Sequence, residues 1–167
     1  MMDLLKLSTD WAKAEVFSAK MVWLVSIFVL ATALGFSYWG KTIMAKAFIW
    51  PMLISGILLV AIGAGLFFTN RPRITQFEQT YREDPSAFLQ QELQRTAKSQ
   101  KELSLVFIVL PALLILAALL ILFVPSPAWR GIAITLALFA VLLMAIDSNT
   151  DARNTRYHEQ LKKMAGE

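Results

Sequence analysis

The chain has no cysteine. That excludes disulfides, thiol catalysis, thiolate-held metals and thiol redox relays, and with them a quinone-coupled disulfide-forming enzyme of similar size and helix number. There is one histidine, His158, too few for histidine-pair haem ligation or a histidine triad; its sequence context reads as a solvated tail. Charge is scarce as well: Asp, Glu, Lys and Arg make up 17% of 167 residues, whereas a soluble domain usually carries ~25%. Four stretches, residues 21–38, 47–69, 103–124 and 131–146, contain no Asp, Glu, Lys, Arg or His. Ionisable side chains at membrane depth are what proton relays, ion paths and buried active sites require. No phosphate loop, zinc spacing or glycine-rich nucleotide fingerprint is present either.

What the chain does have is apolar length. Hydrophobic residues make up 57% and mean hydropathy is +0.57, which places it among integral membrane proteins. The expected fold class is all-α, with four transmembrane helices in an antiparallel bundle. The spans fall at 21–38, 47–69, 103–124 and 129–146, each about long enough to cross a bilayer at 1.5 Å per residue. They pair as two hairpins, 21–69 and 103–146, because the links are short. Pro51 is expected in the first turn of the second span, where its missing N–H is tolerated; Pro111 bends the third. Ala31-Thr32-Ala33 resembles a signal-peptidase site. Asp3, Asp10 and Glu15 offset the nearby lysines, however, and the apolar run continues to Tyr38, so this span is expected to stay as an anchor. Tyr38, Trp39 and Trp129 suit the interfacial belt.

Within the second span, Gly56 and Gly63 stand seven apart, and Ala61 with Gly65 forms a small-xxx-small pair. These four are the helix-packing candidates, since small residues let backbones approach closely in lipid.

Three polar segments frame the spans. Residues 1–20 repeat Leu4, Leu7, Trp11, Ala14 and Phe17 at helical spacing and read as an amphipathic helix at the membrane surface, capped by Ser8, Thr9 or Asp10. Residues 70–102 repeat Ile74, Phe77 and Tyr81, break at Glu83-Asp84-Pro85-Ser86, and resume with Leu89, Leu93, Thr96 and Gln100. Asp84 as N-cap and Pro85 as first helical residue predict a helical hairpin between spans 2 and 3, with Pro72 restarting the helix beyond the bilayer. Residues 147–167 continue the fourth span through Tyr157, Leu161 and Met164 as one helix of roughly 55 Å. Phe77, Tyr81, Phe88 and Tyr157 are the candidate partner-binding residues; the alternative is that the hairpin aromatics pack inside it.

Of sixteen Lys and Arg, only Lys41, Lys46 and Arg130 fall on the short links. The positive-inside rule then puts both termini, the hairpin and the C-terminal helix in the cytoplasm, as a multi-pass inner (plasma) membrane protein. The net charge of +4 needs no nucleic-acid partner, because acidic residues interleave with the basic ones.

No residue set points to catalysis, and neither a cofactor nor a metal is expected. The layout is similar to that of immunity proteins against pore-forming toxins and, on a smaller scale, to stator-type proton-channel subunits, a likeness of layout that carries no site with it. The expected function is a non-enzymatic inner-membrane interaction protein, an accessory subunit or immunity-type regulator. Its partners would be membrane lipids and a membrane protein, bound through the spans and cytoplasmic helices. The alternatives are a homo-oligomeric pore or channel subunit, and a lipid-binding or lipid-modifying protein using Arg71, Arg73, Asp147 and His158 at the interface.

Overall fold

A computed structural model describes residues 3–166, which are almost entirely helical. The elements are α1 (Leu4–Trp39), α2 (Ile43–Asn70), α3 (Arg73–Glu83), α4 (Pro85–Phe123) and α5 (Pro127–Ala165). Four helical stretches, Leu4–Trp39, Ile43–Glu83, Pro85–Phe123 and Pro127–Ala165, are long and apolar enough to cross a membrane.

Local chemistry sets the boundaries. Asp84 accepts hydrogen bonds from the N–H groups of Ser86 and Ala87 at 2.9 and 3.0 Å, and Pro85 occupies the first turn of α4. Pro72 separates α2 from α3. Gly166, in the left-handed region at φ 84°, closes α5.

Two local expectations change. Asp3, rather than Ser8, Thr9 or Asp10, caps α1, and the helix continues unbroken past Lys20 into the apolar run. Ser8, Trp11, Ala12, Glu15 and Ala19 are buried along one stripe of α1. In α2, the Thr42 hydroxyl accepts from the Ala45 N–H at 3.1 Å and starts the helix early, so Pro51 lies two turns inside it. Pro51 has no N–H for the Ala47 carbonyl. That carbonyl instead faces Gly131 of α5, where an added Cβ would come within 2.6 Å of it.

Helix pairing follows from specific contacts. Phe36 stacks on Phe48, Leu30 covers Gly56 and Trp23 covers Gly63, so α1 and α2 run in opposite directions. The Trp23 indole N–H also donates to the Val60 carbonyl at 3.2 Å. Helix α5 packs along both α4 and α2, and α3 bridges α1 and α4. Buried residues recur at heptad spacing: Thr96, Leu103, Leu110 and Ala117 on α4, and Ala133, Ala140, Asn154 and Leu161 on α5, where the half-buried Asp147 fills the place between Ala140 and Asn154. That period is the signature of left-handed, knobs-into-holes packing.

The type of buried residue changes along the long axis. In the apolar stretches the buried set is mostly small, with Ala33, Gly56, Gly63, Ala117, Ala133 and Ala140 among them. At the charged end it is large: Trp11, Phe77, Phe88, Leu93, Tyr157 and Leu161 form one cluster. Large apolar side chains gain by leaving water, whereas in lipid only close backbone approach favours association. The outward faces of the apolar stretches carry Phe28, Ile57, Leu105, Leu122 and Val141, all exposed.

Candidate functional site

The charged end contains the only polar constellation of note among the described residues. Helices α1, α4 and α5 each contribute to it. Ser8, Trp11 and Glu15 lie one helical turn apart on α1; Glu92, Arg95 and Thr96 share a face of α4; Arg153, Asn154, Tyr157 and His158 face them from α5.

Glu92 is buried and forms a bidentate pair with Arg95, Nε to Oε1 at 2.8 Å and Nη2 to Oε2 at 2.6 Å. Tyr157 Oη is 2.7 Å from Glu92 Oε2 and 2.7 Å from Ser8 Oγ. The paired carboxylate only accepts, so the phenol proton goes to Glu92 and the Ser8 hydroxyl donates to Tyr157 Oη or to the Leu4 carbonyl at 2.9 Å. Burial, reinforced by the Glu92 charge, pushes the Tyr157 phenol well above its ordinary value, so it remains a donor.

Trp11 stacks on Tyr157 with centroids 5.5 Å apart and planes at 17°. The Arg95 guanidinium lies 4.0 Å from the Trp11 ring centroid, a cation–π contact. A second buried carboxylate, Glu15, accepts from Arg153 Nε at 3.0 Å. Burial raises the Glu15 carboxyl above its usual value, and Arg153 pulls it back only in part. On the other side of the α4–α5 seam, Thr96 Oγ1 meets His158 Nδ1 at 2.7 Å and Asn154 donates to the Thr96 carbonyl at 3.0 Å.

Beside this network a polar cleft of about 390 Å³ opens where the apolar stretches begin. Gly65, Leu66, Thr69 and Asn70 of α2 line one wall, and Arg95, Lys98, Ser99 and Glu102 of α4 the other. Trp11, Glu15, Arg73 and Thr150 complete it. An apolar-lined groove of about 910 Å³ lies at the far tip, between Leu4, Tyr81, Pro85, Leu89 and Met164, rimmed by Asp3, Gln160 and Lys163.

The four aromatic candidates separate on this geometry. Phe77, Phe88 and Tyr157 are buried at 7, 2 and 2% exposure, with Phe77 and Tyr81 both meeting Phe88 edge-on. Only Tyr81 reaches an open groove. Of the small residues, Gly56 and Gly63 face α1, while Ala61 and Gly65 turn outward. His158 is 9% exposed, which corrects the expected solvated tail: α5 packs its i, i+3, i+4, i+7 stripe of Asn154, Tyr157, His158 and Leu161 inward. Arg71, Arg73 and His158 make separate contacts: Arg71 lies over Phe67, Arg73 in the cleft, and His158 on Thr96, while Asp147 is partly buried on α5.

Glu92, Arg95 and Glu15 were missed as a site. The available signal was a charged residue recurring on an apolar helical stripe, Trp11 then Glu15 and Glu92 beside Leu93. Among the described residues no group of three or more His, Asp or Glu converges as a metal site. The chain matches no family model, no curated protein and no solved structure.

Proposed function

We propose that this is a non-enzymatic interaction protein of the inner membrane, multi-pass, with both termini and the central hairpin in the cytoplasm. In this reading the spans bind a membrane-protein partner, and the charged end forms a rigid cytoplasmic docking bundle. The polar interior supports it by being occupied with itself: both buried carboxylates are held by arginines of the same chain, and the buried phenol is spent on one of them. A catalytic set needs groups poised toward a substrate, and side chains paired within the chain favour a structural role instead.

The observation that carries the reading is the tip groove. Tyr81, Leu89, Met164 and Leu4 line an open apolar concavity at the end farthest from the apolar stretches, with charged residues on its rim. In water, an apolar groove with a polar rim is characteristic of a protein-binding surface. The test is extraction of the tagged protein from native membranes in mild detergent, followed by native mass spectrometry. A stoichiometric protein partner whose recovery falls in Met164→Arg is the expected result; a chain that elutes alone overturns the reading.

One observation favours a second reading, a homo-oligomeric pore subunit: Ala61 turns outward on α2 among apolar neighbours, as a small-residue contact between copies would require. Conductance of a confirmed oligomer in reconstituted bilayers tests it, and a silent oligomer removes it.

A further inference from the structure

The cleft between α2 and α4 has an imbalance of charge that the network beside it does not share. Glu15 is matched by Arg153, Glu92 by Arg95, and Glu102 by Lys98 at 3.8 Å. Arg73 also lines the cleft, half-buried, and among the described residues no carboxylate lies within 4.0 Å of it. Its polar contact is to a neutral group, Nη1 donating to Asn70 Oδ1 at 2.7 Å. Its guanidinium and that of Arg95 share one aromatic ring, 5.9 and 4.0 Å from the Trp11 centroid. Burial and the neighbouring Arg95 charge work against the Arg73 cation and outweigh the favourable carboxylates of Glu92 and Glu15, neither of which pairs with it. A half-buried guanidinium beside a second one is costly unless an anion joins them.

The surroundings specify what kind of anion. Arg73 supplies a charged donor, Lys98 a second that its long, exposed contact with Glu102 leaves able to turn into the cleft, and Thr69 and Ser99 contribute hydroxyls to the same walls. Planar guanidinium groups and short hydroxyls are the usual partners of phosphate oxygens. Gly65 and Leu66, in the last turns of the apolar stretch of α2, form the part of the wall nearest the membrane. At Gly65 nothing lies within 4 Å of where a Cβ would be, so the cleft is open on that side. Cations thus stand beside an apolar, side-chain-free opening at the end of the apolar stretch of α2.

We infer that this cleft binds a phosphate group, with Arg73 as its principal ligand and Lys98, Thr69 and Ser99 around it, and that Gly65 leaves room for a phosphate carried on a lipid. The same chemistry would accept a soluble phosphate, and the experiment separates the two sources. Full-length protein in neutral detergent is titrated with phosphatidylglycerol, with phosphatidylcholine and with inorganic phosphate, reading retained ligand by native mass spectrometry and the melting temperature by circular dichroism. The expected result is one phosphatidylglycerol retained per chain under conditions where phosphatidylcholine is lost. Arg73→Gln should weaken that binding about tenfold, the size of one charge-assisted contact. Gly65→Leu, at a position where an added Cβ meets nothing within 4 Å, should block the lipid but not inorganic phosphate while keeping the wild-type circular dichroism spectrum. Stabilisation by inorganic phosphate that depends on Arg73, with no preference between the lipids, assigns the site to a soluble phosphate. Should Arg73→Gln misfold, the exposed Lys98→Gln serves in its place and is expected to weaken binding about threefold. Equal retention of both lipids with no phosphate effect overturns the inference, as does binding unchanged in a folded Arg73 or Lys98 variant.

Discussion

Tyr157 and Glu92, 65 residues apart in the chain, meet at 2.7 Å between the phenol oxygen and the carboxylate. The contact joins α5 to α4, and Ser8 on the same phenol brings in α1. Removing the hydroxyl would leave a buried carboxylate short of a donor while keeping the aromatic stack on Trp11. Tyr157→Phe is therefore expected to destabilise the protein by about 1–3 kcal/mol, read as a lower melting temperature in detergent. Tyr81→Phe, whose hydroxyl makes no such contact among the described residues, is the control and should change little. Equal melting temperatures for the two variants would show that the buried hydrogen bond contributes nothing.

Glu15 gives the protein a pH dependence of definite sign. Its folded-state value is raised by burial, so the folded chain holds the Glu15 proton more tightly than the unfolded chain. Its contribution is then fully present below the ordinary carboxyl value of 4.5 and is lost as pH rises through the folded value. Melting temperatures of wild type and Glu15→Gln measured from acid to neutral pH should diverge, the variant gaining relative to wild type as pH increases. Arg153 keeps the Thr150 hydroxyl at 3.3 Å and partial access to water, which limits the cost of losing its partner. A difference that stays constant, or moves in favour of wild type with rising pH, contradicts the raised value.

The glycines of the apolar stretches should not respond alike to alanine. At Gly131 a Cβ would meet the Ala47 backbone oxygen at 2.6 Å, and backbone does not yield easily. At Gly63 it would meet the Trp23 indole at the same distance, a rigid group further tied by its bond to Val60. At Gly65 it would meet nothing. Gly131→Ala and Gly63→Ala are each expected to cost about 1–3 kcal/mol by overpacking, and Gly65→Ala to be neutral or to gain about 0.5–1 kcal/mol from helix propensity. Resistance to SDS-induced unfolding would rank them, and a Gly65 variant as damaged as the Gly131 variant would mean the helices approach elsewhere.

Much of the fold was legible because its signals are local. Charge-free stretches, the Asp84-Pro85 start of α4 and the length of α5 depend on a few adjacent residues. The network was not legible for the opposite reason. Glu15 meets Arg153 across 138 residues and Ser8 meets Tyr157 across 149, so no window of sequence contains a pair. Pro51 shows the intermediate case. A first-turn proline is the common solution, but here the freed Ala47 carbonyl turns to Gly131 on a helix eighty residues away, a partner that only tertiary packing supplies.

Orientation rests on the distribution of Lys and Arg, and the absence of cysteine makes it simple to measure. Any introduced cysteine is the sole thiol, so labelling reports one position. Gln90 on α4 and Lys41 on the α1–α2 link are both exposed, and substitution at either disturbs no packing. If the basic segments are retained in the cytoplasm, Lys41→Cys should react with a membrane-impermeant maleimide in intact cells, and Gln90→Cys only after permeabilisation. The reverse pattern would put the charged end outside, remove the cytoplasmic docking bundle, and move the phosphate-binding cleft to the outer leaflet.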